Sequence, residues 1–135
     1  MKYLSDFMED KQNLLFESEK VFFAFSNEQM KEGKTKIEIH DNKLLCSLGA
    51  GMYCPKLNAN NVVNQLDKIY NDSIKEDIKT YGIERIIKRE LSNHECYYTG
   101  DITDCIETLK NYPNITDKLI LKVYKKNFEI INERN

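Results

Sequence analysis

The chain has 135 residues and a formal net charge of −2. That length suits one domain, read as 1–135, able to bury a core without a metal or disulfide staple. Near-balanced charge argues against a protein whose main work is gripping a nucleic acid backbone, and equally against a strongly acidic nucleic acid mimic.

No apolar run approaches the roughly 20 residues needed to span a bilayer, so no membrane association is expected. The N-terminus, Met1-Lys2-Tyr3-Leu4-Ser5-Asp6, carries an acid where a signal peptide would carry its apolar core. A cytoplasmic protein is the expectation, with Cys46, Cys54, Cys96 and Cys105 reduced.

Residues 3 to about 18 form a predicted amphipathic helix, with Leu4, Phe7, Met8, Leu14 and Leu15 on one stripe. The short aromatic run Val21 to Phe25 reads as a buried strand. Alternation allows either Phe23 with Phe25, or Phe22 with Ala24, to face the core. Ser26-x-x-Gln29 is a capping box opening a short helix, with Gly33 as its expected left-handed terminus. Ile37 and Ile39 alternate with charged residues, which favours a strand paired through a turn at His40-Asp41-Asn42 with the strand Leu44 to Leu48. An irregular helix extension is the alternative. Gly49-Ala50-Gly51 interrupts the sheet, Met52 to Cys54 resumes it and Pro55 ends it.

From Asn58 onward the pattern is helical. Val62, Leu66, Ile69, Tyr70, Ile74, Ile78 and Tyr81 make a long stripe closed by Gly82. Ile83, Ile86, Ile87 and Leu91 begin a second helix. Asn93 to Gly100 breaks the period as a loop. Asp101 is the expected cap of a third helix that ends at Tyr112-Pro113. Thr116 caps the last, with Ile120, Val123, Tyr124, Phe128 and Ile131 inward. The predicted fold class is α+β: a small antiparallel sheet of two to four strands in the N-terminal half, packed against a helical C-terminal half.

Candidate sites are few. Gly49 and Gly51 follow a strand as a phosphate loop would, but a Rossmann loop needs a third glycine and a helix where Met52-Tyr53-Cys54-Pro55 stands, and the Gly-Lys-Ser/Thr of a Walker loop is absent. A tight turn or bulge is the better reading, with Tyr53 beside it. The cysteine pairs are spaced too widely for a structural zinc site, so neither a metal nor a cofactor is expected. The loop Asn93 to Asp101 gathers His94, Glu95, Tyr98 and Asp101. A histidine beside carboxylates is the minimum for hydrolysis, yet Asp101 as a cap and His94 and Glu95 as loop hydrogen-bonding groups account for the same residues. Lysines and arginines at 85, 88 and 89, and at 118, 122, 125 and 126, read as solvated faces.

Two sets of residues stand out together. One is Phe22-Phe23-Ala24-Phe25-Ser26-Asn27-Glu28-Gln29 with Glu32-Gly33-Lys34 and Gly49-Ala50-Gly51. The other is Asn93-His94-Glu95 with Thr99-Gly100-Asp101. Over roughly residues 20 to 125 this pattern resembles a family of small phage and prophage proteins of unknown function. The resemblance implies a mobile-element origin and transfers no catalytic residue. The expectation is a non-enzymatic phage accessory protein that binds and blocks a host protein, foremost a defence component such as a CRISPR effector. Its candidate binding residues are Gly49, Gly51, Tyr53, His94, Glu95, Tyr98 and Asp101. The alternative is a small-ligand binder, such as a sponge for a nucleotide signal. A hydrolase or nuclease around His94, Glu95 and Asp101 is third.

Overall fold

The computed structural model describes residues 1–134, and side chains through Ile130. The fold is α+β, as expected: a three-stranded antiparallel sheet lies in the N-terminal half and helices make up the C-terminal half. The chain forms two compact units, Met1–Ser73 and Ile74–Asn135.

In the N-terminal unit, helix α1 (Leu4–Ser18) is followed by β1 (Phe22–Phe23) and α2 (Asn27–Lys36). A 3₁₀ turn (Asn42–Leu44) leads into the hairpin of β2 (Leu45–Gly49) and β3 (Met52–Pro55). The sheet order is β1-β3-β2, so β1 is an edge of only two residues. Phe22 and Ala24 point inward, the second of the two alternations, and with Ile37 they form a core against Met30, Ile39, Leu45 and Tyr53. Phe23 and Phe25 point outward.

Helices α1 and α2 end in the same way. At the end of α1, the Lys20 N–H donates to Glu17 and the Val21 N–H to Phe16, with Lys20 left-handed at φ 58°. At the end of α2, Glu38 donates to Thr35 and Ile39 to Lys34, with Glu38 at φ 59°. These are Schellman closures made without glycine.

Two expectations are corrected here. Gly33 does not end α2; it lies inside the helix, where the Phe22 ring covers its bare Cα and a Cβ would collide with that ring. Ile37 and Ile39 are not in a strand. They flank the left-handed Glu38, which turns both isoleucines toward the Phe22 core. Alternating side chains on either side of a helix closure imitate strand spacing. The Ser26 cap is as read: its Oγ accepts from the Gln29 N–H at 3.2 Å, while the Gln29 side chain reaches one residue further back, to the Phe25 N–H at 2.7 Å.

Helix α3 (Ala59–Tyr81) runs out of this unit into the next. The C-terminal unit contains its last residues with α4 (Ile83–Asn93), the single turn α5 (Cys96–Thr99), α6 (Thr103–Leu109) and α7 (Asp117–Arg134). Helix α4 packs against α5, α6 and α7. Ile86, Ile87, Leu91, Leu109 and Ile120 are buried there, with Cys96 and Cys105 among the most enclosed. The Thr116 Oγ1 caps α7 by accepting from Leu119 at 3.2 Å. Ile131, expected inward, falls outside the described side chains.

Candidate functional site

In the N-terminal unit the residues singled out around the hairpin have structural work to do. Gly49, Ala50 and Gly51 all have positive φ, and a bulge separates Ser47 from Gly49. They form the β2–β3 turn, with no helix behind it to receive a phosphate. At Gly51 (φ 78°) a side chain would be strained and would also strike the Phe25 ring, which lies over the bare Cα. Tyr53 stacks on Phe22 with ring centres 5.6 Å apart, so it is a wall of the small core.

What stands beside that core is a run of exposed aromatics. Phe23 is 44% exposed and Phe25 75%. Phe23 meets Phe16 edge to face at 5.4 Å. A shallow depression of about 390 Å³ is lined by Phe22, Phe23, Phe25, Gln29, Glu32, Gly33 and Lys36. Phe22 and Lys36 also border a more enclosed one of about 650 Å³, with Phe16, Glu17, Lys20, Val21, Ile37 and Glu38. The backbone carrying these rings is held firmly. The Ala24 N–H donates to Gly51 at 2.9 Å, the Phe25 N–H is taken by Gln29, and Ser26 caps α2.

In the C-terminal unit, His94, Glu95, Tyr98 and Asp101 do not converge. Among the described residues, no side-chain hydrogen bond or ion pair joins any two of them. His94 closes α4, its N–H donating to the Glu90 carbonyl, and its Nε2 lies 3.0 Å from Thr108 Oγ1 and 3.4 Å from Glu90 Oε2. Glu95 sits left-handed at φ 54°, and its carbonyl receives the Tyr98 and Thr99 N–H groups. Tyr98 is 92% exposed, whereas Tyr97 stacks on Tyr124 at 5.4 Å. Asp101 Oδ1 accepts from the Thr103 hydroxyl at 2.6 Å and the Thr103 N–H at 2.9 Å, which ties it to the first residue of α6, but the N-cap is Ile102 and not Asp101 as expected. Those two bonds, the hydroxyl first, hold its carboxyl below the usual carboxylate range.

Sequence reasoning missed the polar network that underlies His94. Arg89 forks onto Asp77, Nη1 to Oδ1 at 2.7 Å and Nη2 to Oδ2 at 2.9 Å, while its Nε donates to Glu90 Oε1 at 2.9 Å. The Tyr112 hydroxyl donates to Asp77 Oδ2 at 2.6 Å. Asp77 is wholly buried, and Arg89, Glu90 and Tyr112 nearly so. Burial alone would lower the Arg89 pKa; its bonds to Asp77 and Glu90 outweigh that and raise it. Burial, then the bond to Asp77, pushes the Tyr112 hydroxyl up. Both carboxylates are thus committed to a guanidinium and offer no idle base. The signal was present: Asp77 falls between Ile74 and Ile78, and Glu90 at helical spacing from Ile86 and Ile87, both acids on apolar stripes.

Among the described residues no group of three or more His, Cys, Asp or Glu could hold a metal ion. No helix there is long and apolar enough to cross a membrane.

Residues 4–129 match a family of unknown function (DUF7659), and the chain belongs to that family. No curated protein and no solved structure matches the chain.

Proposed function

We propose that this protein works by binding another protein, without catalysis, through the aromatic face of its N-terminal unit. The observation that carries the reading is Phe25: a ring three-quarters exposed on a backbone whose N–H is taken by Gln29 and whose neighbours are held by the Ala24–Gly51 bond and the Ser26 cap. Exposed rings on rigid backbone lose little entropy on binding and make effective anchors for a partner's apolar pocket. Phe23 beside it, and the depression the two rings border, supply the surrounding surface. The rim mixes Gln29, Glu32 and Lys36, which suits a protein surface better than a polyanion.

The partner class to test first comes from the motif pattern. If the resemblance to phage and prophage proteins reflects the origin of this chain, the partner is a host protein in the cytoplasm, with CRISPR and other defence effectors foremost. The committed carboxylates of the C-terminal unit support a non-enzymatic role, and the scattered positions of His94, Glu95 and Asp101 speak against a hydrolytic set.

The test captures partners from host lysate with wild-type protein and with Phe23→Ser and Phe25→Ser variants, beside a thermal-shift series with nucleotides. Exposed substitutions of this kind change stability by no more than about 0.5 kcal/mol. The expected result is a defined partner lost with Phe25→Ser at unchanged melting temperature. Capture indifferent to both substitutions would remove the aromatic face from the reading. A nucleotide shift without a captured protein would replace it with the small-ligand sponge.

A further inference from the structure

The register of the hairpin sets Cys46 directly opposite Cys54. Facing residues of an antiparallel pair project to the same side of the sheet, and their Cα atoms lie about 4.5 or 5.5 Å apart according to the hydrogen-bonding phase. Both separations fall within the range that a disulfide accepts, about 4.4–6.8 Å. The two thiols differ in access: Cys54 is fully buried, while Cys46 is partly exposed, its Sγ 3.6 Å from the Ser47 carbonyl.

We propose that Cys46 and Cys54 are a redox-active pair that closes reversibly to a disulfide across the β2–β3 hairpin, with a small-molecule disulfide of the glutathione class as oxidant. The Cys46 thiolate attacks one sulfur of the oxidised tripeptide, and one glutathione leaves as thiolate. Cys54 then loses its proton to solvent and attacks Cys46 Sγ, expelling the second glutathione. Two protein thiols are oxidised and one glutathione disulfide is reduced to two thiols. Burial, then the neighbouring Cys46 and Glu19, pushes the Cys54 thiol up, which fixes the order of attack: the accessible sulfur first, the enclosed one only against its neighbour.

Cys96 and Cys105 make the internal control. Both are fully buried, and burial pushes the Cys105 thiol up to about 12. Neither offers an oxidant a first sulfur to reach.

The four cysteines fall in two tryptic fragments, Leu44–Lys56 with Cys46 and Cys54, and Glu90–Lys110 with Cys96 and Cys105. The native full-length protein is equilibrated with oxidised glutathione, quenched in acid, alkylated in denaturant and digested for mass spectrometry. The expected result is fragment 44–56 unalkylated and lighter by two hydrogens, fragment 90–110 alkylated on both cysteines, and return of 44–56 to the alkylated form after dithiothreitol. Cys54→Ser should instead accumulate glutathione on Cys46. Full alkylation of 44–56 after oxidation, or glutathione retained on wild-type Cys46, would overturn the pair. Equal oxidation of 90–110 would overturn the argument from access.

Discussion

In the N-terminal unit the Phe22 ring is closed in by Gly33 and Tyr53 while Phe23 and Phe25, one and three residues on, stand in solvent. In the C-terminal unit Asp77, Arg89 and Glu90 are enclosed almost as completely as Ile86 and Ile87. Apolar contact is non-directional, so a small ring cluster can fill its core and leave neighbouring rings free for a partner. An ion pair enclosed in apolar surroundings is different, because each carboxylate oxygen needs a donor at a set distance and angle. The first unit therefore carries surplus apolar surface, and the second carries a buried cluster in which Asp77, Arg89 and Glu90 are committed to one another.

The largest effect is expected where that second demand is broken. Arg89→Ala leaves Asp77 and Glu90 buried without their cation and should cost about 3–5 kcal/mol. Tyr112→Phe removes one bond to the same carboxylate and should cost about 1.5–3 kcal/mol, since the acceptor is charged. Urea melts of the two variants give the comparison. Losses below about 1 kcal/mol for Arg89→Ala would mean that water reaches the network and that the two units do not differ as described.

Next come substitutions in the ring cluster. Phe22→Ala should cost about 3–5 kcal/mol, because Gly33 and Tyr53 are shaped around the ring. The same change at Phe25 should do almost nothing to stability. Gly51→Ala should cost about 1 kcal/mol or more, mainly through its positive φ, because the exposed Phe25 ring has room to swing away. Equal losses at Phe22 and Phe25 in denaturant melts would erase the division between core and free ring on which the binding face rests.

The fold was legible where period and cap agreed. The 62–81 stripe, Ser26 with Gln29, and Thr116 all announce helices, and each is found. It was illegible at Ile37 and Ile39, where a left-handed Glu38 gives strand-like spacing that only the closure bonds reveal. The candidate sites followed the same rule. That Asp101 serves the start of α6 was readable from local spacing, since its partner Thr103 lies two residues away; that Ile102 takes the N-cap itself was not. The Asp77–Arg89–Tyr112 cluster was not, because its members stand 12 and 35 residues apart and only tertiary contact gathers them. Exposure of Phe25 was equally hidden: within Val21 to Phe25 every residue is apolar, and the inward phase is chosen by Gly33, a helix away.

The smallest destabilisation belongs to Asp101, and its pH dependence separates a carboxylate that holds the turn into α6 from an active-site carboxylate. Thr103 donates twice to Oδ1, from its hydroxyl and its N–H, and holds the folded-state pKa below the ordinary 3.8. A depressed carboxylate contributes stability that is fully present above its unfolded value and is lost as pH falls through the folded one. Asp101→Ala should therefore lower the melting temperature slightly at neutral pH, and the gap from wild type should shrink on acidification below 3.8. Because the carboxyl is fully exposed, salt and water screen its charge, so the drop should be smaller than for Arg89→Ala, Tyr112→Phe, Phe22→Ala or Gly51→Ala. Differential scanning calorimetry of the two proteins, from neutral pH to the lowest pH at which the wild type still melts cooperatively, reads both quantities. A gap that holds constant on acidification would show that the anion does not stabilise the turn into α6. Unchanged melting together with lost partner capture would move Asp101 from the scaffold to the binding surface.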